Sequence, residues 1–423
     1  AQHEAPKGQA ALPWTALDGR SEGLLCLTGC RRGPLTAALL AWERQRAFRA
    51  ARHLAALFPG RLYVELQHHL RPDDATLVDD LHRLAGYLRL PTVATNNVHY
   101  ARRDGQRLQD TLTAIRRRVP LARLAPQLHP NDERYLKPHS RLAPLFRFQR
   151  EALQNTLAIA ERCGYQLTFG LQDLPVFPTP PGCNADGFLA RLCADGLLAC
   201  YGTVGEAATR QLQHELRVIR QAGLANYLLI VWDLVRFARA NGIRCQGRGS
   251  AANSLVAYLL GIGPIDPLRH SLVFERFLSS ERPSLPDIDL DVDAARREEL
   301  IQYLYTRYGQ NHVALACTFI TFQARLALNE VAAALGVAPA LLREAELGIE
   351  RAEGPGLRAD DPAVRLIGEL CREVHGLPRH LGQHSGGMIV TGPPLCERLP
   401  VEPTAMPSRT VVQWDKDALE TAG

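Results

Sequence analysis

The chain has ten cysteines in 423 residues but no CxxC pair, which argues against a zinc finger. Its size and apolar content are those of a cytosolic protein, so reduced thiols and a cytoplasmic location are the expectation. Lysine is nearly absent: Lys7, Lys137 and Lys416 are the only three among 49 cationic side chains. Arginine suits phosphate recognition, but biased codon usage in a GC-rich genome explains the bias more simply. The excess of positive charge is small, +5 at neutral pH, which permits nucleic-acid binding without showing it. No signal peptide, internal repeat or long low-complexity tract is visible. The most apolar helical run, residues 226–241, is too short and too charged to span a membrane. There is no initiator methionine, and the chain opens in what reads as the middle of a domain.

What is present is concentrated in two segments. Residues 286–293 read PDIDLDVD, with aspartate at every second position from Asp287 to Asp293. A strict period of two predicts a strand with one apolar face and one row of carboxylates. Side chains two apart on a strand are about 6.5–7 Å apart at Cα. Two of them can therefore share a pair of metal ions about 3.5–4 Å apart, the spacing used for in-line phosphoryl transfer. An acidic solvent-facing strand or a loose Ca²⁺ loop fits the same eight residues. Upstream, residues 242–254 read GIRCQGRGSAANS and lead into the apolar LVAYLLG. This predicts a short strand, a loop of small residues and a helix start, the parts of a phosphate cradle. Arg248 could grip a phosphate through two parallel hydrogen bonds. The loop is neither a Walker A nor a GxGxxG motif. Arg276 and Arg282 lie between the loop and the acidic strand.

GRGSAANS, DPLRHSLVFERFLSSER, PDIDLDVD and RREELIQYLYTRYG occur in this order, followed by TFITFQARLALNEVAAALG, RHLGQHSGGMIV and VVQWDKDALETAG. Together they resemble the α subunit of bacterial DNA polymerase III, the C family of DNA polymerases. SAANS, TNNVHY and QWDKD are closer to its error-prone DnaE branch. The resemblance covers essentially the whole chain. It implies template-directed nucleotidyl transfer with two Mg²⁺ ions, on Asp287 and Asp289 as the first two of three catalytic aspartates. Asp291 and Asp293 are not catalytic in the family pattern. The third aspartate and the fingers domain are expected after Gly423, so the chain reads as a fragment that does not complete its own active site. Gly247, Arg248, Gly249, Ser250, Ser254 and Arg282 would hold the triphosphate, and Arg325 and His384 would contact the DNA backbone. The implied partners are primer–template DNA, dNTPs, a sliding clamp and accessory mutagenesis proteins, with no membrane.

The implied fold class is α/β: a partial polymerase-and-histidinol-phosphatase (PHP) barrel, then a mixed α/β palm with a helical thumb insertion. The expected boundaries are 1–150 for the PHP part, 151–320 for the palm, 321–384 for the thumb and 385–423 for the palm continuation. Patterning at the start of the chain alternates strand and helix: strand 24–28, helix 37–58 capped by Thr36, strand 61–66, helix 74–89, strand 91–95. Cys30, Glu65, His68, His69, Asn97 and His99 fall near the expected strand ends, where such folds place their sites. In the family's ligand pattern Cys30 and His99 match, but Asn97 stands where the family has an aspartate. A PHP metal site with Zn²⁺ or Mn²⁺ on Cys30, Asn97 and His99 is therefore a weak expectation. Later helices are expected at 206–222, 226–241 and 295–308, and one capped by Thr321 is expected to end at Gly336. Helices at 340–349 and 362–375 complete the pattern. A non-catalytic DNA-binding scaffold and a PHP phosphoesterase or 3′-exonuclease stay open as alternatives.

Overall fold

The computed structural model describes residues 10–167, 174–203, 205–278, 288–337, 362–406 and 408–422. It is a mixed α/β protein that divides into two compact units. One comprises Ala11–Leu167 and Ile320–His380; the other comprises Ala1–Ala10, Thr168–Phe319 and Leu381–Gly423.

The first unit contains β1 (Cys26–Leu27), β2 (Leu62–Gln67) and β3 (Thr92–Thr95), hydrogen-bonded in that order and all parallel. All of β2 is buried, as expected for a central strand covered on both faces. Leu35, Leu54, Leu66, Leu81 and Phe146 form the core between sheet and helices. The expected helix at 37–58 is two helices, Pro34–Leu40 and Arg44–Leu57. Trp42 between them has φ +63°, a left-handed conformation that no helix interior accommodates. Thr36 is therefore not a cap. It sits inside the first helix, and its buried hydroxyl has no hydrogen-bond partner.

A second core in this unit joins distant stretches of sequence. Ala114, Ile115 and Leu124 pack with Phe322, Leu328, Val331, Ile367, Leu370 and Val374. These residues come from the helices Gln106–Arg117, Ala324–Leu335 and Pro362–Val374 and from the short segments beside them. Arg107 adds 3.0 Å ion pairs to Glu369 and Glu373, all of them half-exposed. The helix Ala324–Leu335 starts after Gln323, not at Thr321, which ends a strand. Gly336 ends it in the left-handed conformation. The expected helix at 340–349 lies outside the described residues.

The second unit carries β4 (Cys245–Arg248) and β5 (Asp289–Val292), an antiparallel pair. It also carries most of a four-stranded sheet in the order β7 (Pro378–Val390), β6 (Val313–Thr321), β9 (Thr410–Asp415), β8 (Val401–Pro403). β6 and β9 are parallel, and β8 and β9 are antiparallel. The helices Ala185–Tyr201, Glu206–Gln221 and Ala225–Ala240 supply its main core around Leu189, Leu228, Leu229, Leu255 and Ile262. The helix Arg297–Tyr308 covers a further cluster with Leu300, Ile301 and Leu304. Among the described residues, no single helix is long and apolar enough to cross a membrane.

Candidate active site

The two segments that stand out in the sequence are neighbours in space. The β4–β5 register places Gly247 opposite Leu290 and Arg248 opposite Asp289. On β5, Leu290 and Val292 pack against the core while Asp289 and Asp291 turn to the other face. Arg248 bridges the two carboxylates, at 3.1 Å from Asp289 Oδ2 and 3.1 Å from Asp291 Oδ1. All three side chains are about half-exposed, so each ion pair is of the weak surface kind, about 0–1 kcal/mol. Asp293, the next in the alternation, has a local role: it accepts from the Ala295 N–H at 3.1 Å and holds the turn into the following helix. Asp287 and Arg282 lie outside the described residues.

Two glycines give the loop its shape. A Cβ on Gly247 would lie 2.9 Å from the Ile262 carbonyl oxygen, which accepts the Gly247 N–H at 2.6 Å. Gly249 has φ +70°, and the Cβ position on it lies 4.0 Å from Asp289 Oδ2. The chain thus turns directly beside the aspartate in a conformation that favours glycine. The short 3₁₀ segment Gly249–Asn253 follows, closed by Asn253 Nδ2 donating to the Ser250 carbonyl at 3.0 Å.

The loop rests on a carboxylate that no motif in the sequence singles out. Glu215 is fully buried and accepts four hydrogen bonds. Its donors are the Ser254 hydroxyl at 2.8 Å, the Leu255 N–H at 2.9 Å, the Val256 N–H at 3.0 Å and Gln211 Nε2 at 2.9 Å. Burial pushes its carboxyl up, and the four donors pull it back. This corrects the expectation for Ser254: it is fully buried, its hydroxyl donates to Glu215 and accepts from the Ala257 N–H, and it leaves the phosphate set. The N–H groups at the start of the helix Leu255–Leu259 are likewise taken by the Glu215 carboxylate and are not open to a phosphate. Periodicity does carry a signal. Leu212, Glu215 and Ile219 fall on one helical face, so Glu215 is a carboxylate at a core position. Asp233 is a parallel case. Fully buried in an apolar helix, it accepts from Tyr303 Oη at 2.7 Å and pairs with Arg236 and Arg307.

The two residues expected to touch DNA are placed differently. Arg325 is exposed in the first turn of the helix Ala324–Leu335. His384 lies in β7, and its Nδ1 accepts from the Gly386 and Gly387 N–H groups at 3.2 Å and 2.6 Å.

At the C-terminal edge of the parallel sheet, the expected metal ligands do not assemble. Among the described residues no group of three or more His, Cys, Asp or Glu side chains is placed to hold a metal ion. Glu65 turns inward and accepts from the Gly29 N–H at 3.0 Å and from Gln67 and Thr95. Asn97 has φ +40°, and its buried neighbour Asn96 accepts from Lys137 and donates to the Glu133 and Tyr135 carbonyls. His99 is exposed, with its ring 4.9 Å from that of His129. The group facing this edge is the buried guanidinium of Arg134, whose positive charge reaches Cys30, His69, His99 and His129. A guanidinium is a poor neighbour for a divalent cation, and among the described residues Cys30 and His99 are not joined by further His, Cys, Asp or Glu side chains into a group of three.

Residues 187–423 match the family described as "Bacterial DNA polymerase III alpha NTPase domain". Three similar curated proteins carry the name "Error-prone DNA polymerase". The one from Symbiobacterium thermophilum is 40% identical over 434 residues, covering 98% of this chain and 39% of the relative. That from Methylococcus capsulatus is 44% identical over 381 residues, covering 88% and 36%. That from Pseudomonas aeruginosa is 39% identical over 402 residues, covering 92% and 39%. The chain spans about two-fifths of the length of these relatives.

Proposed function

The chain belongs to the bacterial DNA polymerase III alpha family, and from that premise we propose that it is part of an error-prone DNA polymerase. The reaction is template-directed: the primer 3′-oxygen attacks the α-phosphorus of a dNTP, the α–β phosphoanhydride bond breaks, and pyrophosphate leaves. The observation that carries the proposal is the register that sets Arg248 and Gly249 against Asp289.

Asp287 and Asp289 are the residues that would hold divalent cations. Their hard carboxylate oxygens suit Mg²⁺, and Asp289 is half-exposed with, among the described residues, only an exchangeable surface arginine on it. When bound, two Mg²⁺ supply charge stabilisation at the attacking and leaving oxygens. The chain's own groups do the rest. Arg248 has two alternative anionic partners, the β5 carboxylates and a triphosphate, and its present ion pairs are weak enough to exchange. Gly249 lets backbone N–H groups approach a phosphate closely, and Ser250 and Arg282 complete the set. Base pairing to the template chooses the nucleotide.

In this reading residues 1–150 are the later part of a PHP domain that serves as scaffold. Residues 151–320 and 385–423 are the palm. The segment 321–384 is the thumb, helical at Ala324–Leu335 and Pro362–Val374 and entering β7 at Pro378, with Arg325 and His384 against the DNA backbone. Such interactions are with phosphates, so affinity falls steeply with salt. A sliding clamp and accessory mutagenesis proteins are the proposed partners.

Arg248→Ala in the full-length protein tests the triphosphate role. The KM for dNTP is expected to rise by about tenfold or more, the effect of removing one charge-assisted pair, while duplex binding is unchanged. An unchanged KM would remove Arg248 from the site.

A further inference from the structure

We propose that Arg248 is a resident counter-cation that competes with the divalent metal for Asp289, and that Asp291 is the positioning residue that keeps it there until a triphosphate arrives. The inference rests on the reading of Asp289 as a metal ligand and adds the regulation of that site. Arg248 donates from two nitrogens of one guanidinium, Nη2 to Asp289 Oδ2 and Nε to Asp291 Oδ1, each at 3.1 Å. Arginine does not lose its proton in proteins, so Asp289 Oδ2 already holds a cation. A divalent cation on the same carboxylate would stand close to that positive charge, and the two therefore oppose each other. The Cβ position on Gly249 is 4.0 Å from this same oxygen, so the arginine and the small-residue loop adjoin a single carboxylate.

Arg248 is fixed at its root and free at its tip. Pairing with Asp289 in the β4–β5 ladder holds its main chain. Its side chain is 58% exposed, and those of Asp289 and Asp291 are 46% and 56% exposed. The guanidinium can therefore leave the carboxylates by a change of rotamer, with no change in the strands. Directly after it, Gly249 turns the chain at φ +70° into the loop that would cradle a phosphate. One cation thus has two anionic destinations within reach of one Cα. Asp291 has a place in this arrangement although the resemblance gives it no catalytic role. It shares a face with Asp289, and among the described residues its only ion pair is with Arg248 Nε. While Arg248 lies across both carboxylates, metal binding at Asp289 is opposed and a triphosphate lacks its arginine. Displacing Arg248 by metal frees it for the triphosphate. By reciprocity, a triphosphate that draws Arg248 away opens Asp289 to metal. Metal and nucleotide then reinforce each other's binding through a residue of the chain itself.

The test measures metal binding itself, in the full-length protein free of nucleotide and DNA. Mn²⁺ is titrated, and the free ion is followed by electron paramagnetic resonance. Arg248→Ala is expected to bind Mn²⁺ about threefold tighter than the parent, the scale of an exposed ion pair, although the same substitution weakens dNTP binding. Asp289→Asn is expected to weaken Mn²⁺ binding by about tenfold or more, since losing a ligand costs no less than losing its supporting partner. Adding Arg248→Ala to Asp289→Asn is expected to change nothing further. Circular dichroism checks that each variant is folded. If Arg248→Ala leaves Mn²⁺ affinity unchanged or lowers it while Asp289→Asn is impaired, the counter-cation role is overturned and the metal ligand stands. If Asp289→Asn binds Mn²⁺ as the parent does, the metal ligand is overturned, and the counter-cation role with it. Asp291→Asn tests the positioning role through dNTP affinity, measured on a primed template whose primer lacks the 3′-hydroxyl, so that no bond forms. It is expected to bind dNTP about threefold tighter than the parent, with the gain lost in the Arg248→Ala background. No gain, or an equal gain in both backgrounds, would overturn the role of Asp291.

Discussion

Replacing Asp289 by asparagine in the full-length protein is expected to lower the rate of primer extension by about 10³-fold or more. This is the scale of removing a principal charge-stabilising group from a reaction centre. The substitution keeps the size of the side chain and removes its charge. The local fold should survive, because among the described residues the Asp289 side chain contributes to it only an exposed ion pair with Arg248 worth about 0–1 kcal/mol. β5 itself is held by Leu290 and Val292 in the core and by its pairing with β4. Duplex binding should therefore be unchanged, and the effect should fall on the chemical step. Asp291→Asn is the control. It shares the face and the arginine, so a merely electrostatic role for the strand would make the two variants equally poor. The proposal expects Asp291→Asn to retain most of the activity. Single-turnover extension with saturating dNTP separates the cases.

The second large effect is structural and lies one layer below the site. Glu215→Ala is expected to destabilise its unit by about 3–5 kcal/mol, the usual cost of removing one partner from a buried charged network. It would leave the Ser254 hydroxyl and the Leu255 and Val256 N–H groups buried with no acceptor. Glu215→Gln keeps one carbonyl oxygen but turns an NH₂ group toward donors, so it should also destabilise, by less. Urea unfolding measures both. A destabilisation below about 1 kcal/mol for the alanine variant, the scale of a single ordinary hydrogen bond, would mean that water replaces the carboxylate and that the loop does not depend on it. Because three of these bonds, from Ser254, Leu255 and Val256, fix the end of the loop that begins at Gly247, the glutamine variant should also bind dNTP more weakly.

The legibility of this protein from sequence differs by element, for physical reasons. The strand at β5 is readable because a period of two leaves only one way to bury Leu290 and Val292, and the aspartates follow on the other face. Gly249 is readable as a turn, but the reason Gly247 must be glycine is not, since Ile262 approaches it from outside the motif. The break at Trp42 is invisible because no glycine or proline marks it. Glu215 looks like one more charge on a charged helix; only its place between Leu212 and Ile219 gives it away. Cys30 and His99 have the right chemistry for metal ligands, but among the described residues the fold supplies too few partners to complete a site.

The most direct test is single-nucleotide primer extension by the full-length protein on a primed template, with and without Mg²⁺, alongside a duplex-binding assay. The account expects Mg²⁺-dependent addition of the templated nucleotide, abolished by Asp289→Asn. Duplex binding without any nucleotide addition would contradict it and make the protein a DNA-binding scaffold.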